Sequence, residues 1–131
     1  MTAEQKLSIV VVSAARERLY MAAMVAAVGA VSGTQVNVFL SMNALQFFIK
    51  GTASTPEPEG AFGRLMAEKN MPDFKTLFEQ AVTLGSARIS PCSMAMDVMD
   101  LQQDALESYL GESMGLTKFL DEAGDGQLLS F

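Results

Sequence analysis

The run Leu7-Ser-Ile-Val-Val-Val12 is β-branched and almost wholly apolar, and Gln35-Val-Asn-Val-Phe-Leu40 repeats the pattern some way on. A strand with so little polar alternation is buried on both faces, which is the situation inside a parallel sheet. Between the two lies a segment rich in Ala, Met, Leu and Val, with Arg and Glu confined to its first turn. It should form a helix over residues 14–32, buried on most of its circumference, opened by Ser13 as a cap and closed by Gly33. Strand, helix and strand within about 35 residues make a βαβ unit with parallel strands.

The same alternation continues. Residues 41–50 read as a short helix opened by Ser41 or Asn43 and stopped by Gly51, and residues 52–60 (TASTPEPEG) as a polar, proline-bearing loop and the most mobile part of the chain. Residues 61–70 can form a short helix. Pro72 opens a clearer one running to Leu84, with Phe74, Leu77, Phe78 and Ala81 on one face. A third strand over residues 87–90 leads into Cys92, followed by helices over 93–99, 102–110 and 116–123, a turn at Gly124-Asp-Gly126 and a closing strand from Gln127. The expected fold is a single α/β domain over residues 1–131, a three-layer sandwich of flavodoxin-like type with a mostly parallel sheet.

Composition removes several classes of function. A net charge of −6 with nine scattered basic residues argues against nucleic acid, because phosphate neutralisation needs clustered Lys and Arg. One cysteine cannot form an intrachain disulfide. The chain has no histidine, so His-based triads, Cys–His dyads and most zinc or iron sites fall away together. The N-terminal segment does not read as a signal peptide, and the most apolar run, residues 19–31, is too short to span a bilayer. A cytoplasmic protein without a membrane span, metal or cofactor is the expectation.

Cys92 is the candidate reactive residue. Functional groups of open α/β sheets collect beyond the carboxyl ends of strands, where loops enter helices. A helix beginning at Ser93 or Met94 would put Cys92 at its N-cap, where unpaired N–H groups and the helix dipole favour a thiolate. The competing reading is a small buried hydrophobe, as free cysteines often are. Sequence position leaves both open. Met96 and Met99 share a helical face and, with Met94, read first as core filler or subunit interface, and second as the lining of an apolar pocket beside a reactive sulfur. Copper is a remote option, since nothing fixes its other ligands. Ser13 and Arg16 could hold a small anion at the first helix start, although the glycines of a nucleotide loop are missing. Asp97, Asp100, Asp104 and Glu107 read as a solvated helix face.

The chain resembles the DsrE/DsrF-like family, in the DsrE-related branch often labelled "peroxiredoxin-like". The resemblance rests on residues 7–13, the Ala/Met-rich first helix, Val36-Asn-Val-Phe-Leu-Ser41 with residues 43–51, and above all Ala87-Arg-Ile-Ser-Pro-Cys-Ser-Met-Ala-Met-Asp-Val-Met99, close to a Cys-x-Met-x-Met-Asp-x-Met signature; residues 115–120 and the terminal strand fit its end. It implies a flavodoxin-like subunit that assembles as a homo-oligomer, commonly a trimer or hexamer. It also implies a sulfur carrier or sulfurtransferase in which Cys92 takes sulfane sulfur as a persulfide or thiosulfonate and relays it between donor and acceptor proteins. Backbone N–H groups of Ser93 and Met94 would then stabilise the anion. Two loops depart from the pattern, the polar stretch 52–60 and the second strand-to-helix junction at Ser41-Met-Asn43; both frame the expected pocket, and Ser13, Asn43, Ser93 and Met94 are the expected binding residues. A peroxidase role gains no support, because there is no second, resolving cysteine. The alternative is a non-catalytic oligomeric binding or scaffold protein with a packed cysteine.

Overall fold

The structure, a computed structural model, describes residues 5–131. Four strands, β1 (Lys6–Val11), β2 (Gln35–Leu40), β3 (Arg88–Pro91) and β4 (Gln127–Ser130), form one sheet in the order β3-β2-β1-β4, every pair parallel. Five α-helices accompany them: α1 (Arg16–Val31), α2 (Ala61–Glu68), α3 (Phe74–Thr83), α4 (Ser93–Val98) and α5 (Leu116–Ala123). Two 3-10 segments, Met42–Phe48 and Gln103–Ala105, complete the regular structure. The α/β sandwich expected from the sequence is present.

Register decides which residues face which layer. Leu7, Ile9 and Val11 lie beside Val36, Val38 and Leu40, and Val38 lies beside Ile89. This apolar face receives α1, whose Gly29 backbone approaches so closely that a β-carbon there would sit 3.1 Å from Val36 Cγ2. Helix α3 packs along α1, held by the Tyr20–Phe74 ring contact at 5.7 Å. On the opposite face Phe39 meets Phe119 of α5 at 5.0 Å. That second face is unusually polar for a parallel sheet, because Ser8, Asn37 and Ser90 are all buried in it.

Helix α1 is not buried around most of its circumference. Leu19, Ala22, Ala23, Ala26 and Ala30 turn inward, while Met21, Met24, Val28 and Val31 are exposed. Both sets recur at helical spacing, so apolar content alone could not separate them. The helix begins at Arg16, two residues after the expected start, and its N-cap is Ala15 with no side-chain cap bond. Ser13 instead accepts the Ala15 N–H on its hydroxyl at 2.9 Å. The stretch 102–110 is not a helix. Ala105 accepts the Lys50 N–H and Glu107 donates to Phe48, tying this segment to the first 3-10 turn and burying Leu106 and Leu110 as separate anchors.

The polar loop 52–60 is strapped to the start of α1. Arg16 donates to the carbonyls of Gly63 (2.6 Å) and Pro56 (3.0 Å), and Arg18 pairs with Glu59 at 2.8 Å. Glu17 accepts the backbone N–H groups of Glu59, Gly60 and Gly63 at 2.8 to 3.0 Å, capping α2 from a distance in sequence. These N–H donors, Glu59 first, hold the Glu17 carboxyl down to about 2 from an ordinary 4.5. Such anchoring ties residues 56–60 of the loop expected to be mobile to the start of α1.

One margin of the sheet is closed by its own chain. Along the outer side of β3, Gly111 N–H donates to Ile89 at 2.7 Å, Met114 N–H to Pro91 at 3.1 Å, and Ser93 N–H to Met114 at 3.0 Å.

Candidate functional site

Cys92 follows the last residue of β3, held in extended geometry by its N–H bond to Leu40 O at 2.8 Å. Pro91 ends the strand with φ already fixed and no N–H to place. Helix α4 starts at once, with Cys92 as its N-cap, and the sulfur accepts the Ala95 N–H at 3.5 Å. A side chain at this position characteristically bonds the second or third helical N–H, and Ala95 is the third. Cys92 is 4% exposed and packs within the hydrophobic core.

The amides assigned to anion stabilisation divide. The Ser93 N–H is occupied by Met114 O, so it cannot turn toward the sulfur. Met94 N–H has no acceptor among the described residues. The donor that does reach the sulfur, Ala95, was legible from N-cap arithmetic alone.

Met94 and Asn43 come together. They line a groove of about 430 Å³ with Met42, Gln46, Val98 and Met99, beside the residues that follow Cys92. Met42 was missed by sequence reasoning although it sits inside the Ser41-Met-Asn43 junction. Its φ of 51°, the left-handed region that bulky residues seldom adopt, accompanies an exposed side chain at the groove. Met96 does not join the groove and is buried in the core. Cys92 is not among the groove-lining residues, so its sulfur lies behind the wall.

Ser13 stands apart. It lies beyond β1 at the point where the strand order reverses, the usual ligand crevice of such sheets. There the Phe131 carbonyl accepts the N–H groups of Val12 (2.9 Å) and Ser13 (3.2 Å), and the Ser13 hydroxyl is engaged by Ala15. With the Arg16 guanidinium committed to Gly63 and Pro56, the anion cradle expected at Ser13 and Arg16 is taken up by the protein's own backbone.

Fold and junction together define an α/β protein with an all-parallel sheet and a cysteine at a strand-to-helix junction. A model of the DsrE/DsrF/DrsH-like family matches residues 59–131, more than half of the chain and including the Cys92 segment. The chain belongs to that family. Among solved structures it is similar to the protein of unknown function MTH1491 from Methanobacterium thermoautotrophicum, with TM-score 0.71 and 6% identity over 98% of this chain and 100% of the other. It is also similar to the ychN protein from E. coli, with TM-score 0.65 and 15% identity over the same shares. At these identities the likeness is one of fold. No curated protein sequence matches the chain. Among the described residues no helix is long and apolar enough to cross a membrane.

Proposed function

We propose that the chain is a sulfur carrier that holds sulfane sulfur on Cys92 and passes it between partner proteins. The observation that carries this reading is the Cys92 sulfur at a strand-to-helix junction, receiving the Ala95 N–H as N-cap. The thiol first yields its proton to water. The thiolate attacks the outer sulfur of a persulfide donor R–S–S⁻; the new S–S bond forms on Cys92 as the donor's S–S bond breaks, and the donor leaves as R–S⁻ with the electron pair. Delivery is the same exchange onto an acceptor thiolate, so neither step needs an oxidant or a histidine. Family membership supports a place in sulfur relay. The methionine-lined groove supports a docking place for a donor beside the site, since Ala95, whose N–H reaches the sulfur, forms part of its wall.

The exposed apolar stripe of α1, Met21, Met24, Val28 and Val31, supports assembly with further copies of the chain, as a trimer or hexamer. Light scattering after size exclusion tests that, and a monomer at working concentration refutes it. A cytoplasmic setting, which keeps thiols reduced, suits the chemistry.

One observation favours a second reading, a binding or scaffold protein with a packed cysteine: Cys92 is buried. Intact mass after polysulfide treatment separates the two. The carrier gains a reductant-sensitive adduct of one sulfur, about 32 Da, and Cys92→Ala gains none. If the native protein stays unmodified while the denatured chain reacts, the thiol is only packing.

A further inference from the structure

The polar face of the sheet has a feature the sulfur chemistry does not use. A cavity of about 340 Å³ lies between β3, the segment 109–114 and α5. Asn37 of β2 and Ser90 of β3, 8% and 7% exposed, line it from the sheet. Side chains at such positions are ordinarily apolar, because a buried polar group without a partner is costly. Asn37 accepts one bond on its oxygen from Gln35 at 3.3 Å. Tyr109 also lines the cavity, and its hydroxyl is buried with no partner among the described residues. A buried hydroxyl with unspent hydrogen-bonding capacity, at a cavity that two polar side chains of the sheet also line, is what a ligand site needs and a fold does not.

The charges narrow the ligand. Arg88, Lys118, Glu112 and Glu122 all line the cavity, so its ionised groups cancel. Arg88 pairs with Glu122 at 3.7 Å, leaving Lys118 and Glu112, one of each sign, without an ion-pair partner among the described residues. Phe119 and Val82 give an apolar wall. We infer that this cavity binds a small zwitterion of the α-amino-acid class with an apolar side chain. Its carboxylate faces Lys118 and the Asn37 amide, its ammonium faces Glu112, and its side chain lies on Phe119. A simple anion or cation would meet one unpaired charge of its own sign. The site is separate from Cys92 and does not depend on the sulfur-carrier reading.

The experiment titrates the full chain with L-leucine and L-methionine, and in parallel with 4-methylpentanoate (carboxylate only) and isoamylamine (ammonium only), following amide NMR shifts. The inference expects saturable shifts at Asn37, Ser90 and Gly111 with either amino acid below about 10 mM, and at least a tenfold weaker response to each single-charge probe. Lys118→Met and Glu112→Gln, both on the exposed rim, should each weaken amino-acid binding about tenfold while leaving the spectrum folded. Absence of saturable shifts with both amino acids overturns it. So does equal binding of either single-charge probe, or shifts centred elsewhere.

Discussion

Phe74 offers the sharpest test of how the first 3-10 segment is held in place. Its ring is 4% exposed and touches four others: Tyr20 at 5.7 Å, Phe47 at 6.1 Å, Phe48 at 6.0 Å and Phe78 at 6.5 Å. These neighbours sit on α1, the Met42–Phe48 segment and α3, so a truncation here opens a gap between three elements. Phe→Ala in a core costs about 3–5 kcal/mol depending on how far such a gap closes, which puts Phe74→Ala near about 4 kcal/mol. With a urea m-value of about 2 kcal/mol/M, the unfolding midpoint should fall by about 2 M at fixed protomer concentration. Phe62→Ala, at an exposed ring, serves as the control and should shift it by less than about 0.3 M. A shift for Phe74→Ala below about 0.5 M, or about 1 kcal/mol, would refute the claim that this cluster locks the segment carrying Met42 and Asn43.

Three further outcomes are expected. Because the folded Glu17 carboxyl sits at about 2 against an ordinary 4.5, its contribution to stability is complete above 4.5 and is lost as pH falls toward 2; Glu17→Gln should therefore flatten that part of a melting-temperature profile and leave less to lose, and an unchanged acid limb would remove the strap as its cause. Gly63→Ala places a β-carbon onto the Glu17 carboxylate and should make residues 52–60 cleavable by limited proteolysis while the wild type resists. Gly85→Ala sets a β-carbon 2.5 Å from Ala30 Cβ and 2.8 Å from its carbonyl carbon, where α3 meets α1; it should destabilise by about 1–3 kcal/mol in chemical denaturation, and a neutral effect would mean the helices are farther apart than described.

What could be read from the sequence was whatever depends on neighbours along the chain. The strands at residues 6–11 and 35–40, the helix Leu116–Ala123 and the N-cap position of Cys92 all follow from local pattern and turn chemistry. What escaped depends on distant partners. Nothing near residue 93 announces that Met114 will take its N–H, which removes one of the two amides assigned to the sulfur. Nothing in TASTPEPEG shows that Arg16, Glu17 and Arg18 will hold it, because those contacts span some forty residues. The run 102–110 has helical composition, yet Leu106 is drawn into the core by pairing with Ile49 after the 3-10 turn, and Leu110 is buried with it. Burial of the thiol itself is a tertiary outcome, and local sequence could place Cys92 without saying whether a reagent reaches it.

The segment along β3 has a consequence for how copies of this chain can meet. A sheet sealed on one side by its own backbone can be lengthened only from the other. Among the described residues nothing pairs with the outer side of β4, where Leu128 is exposed. Strand-to-strand joining between two molecules must then use β4 twice, in a two-fold contact that consumes both free margins. Such a pair is finished: end-to-end growth into a fibre would require a second open margin, and in the native fold Gly111 and Met114 already occupy it.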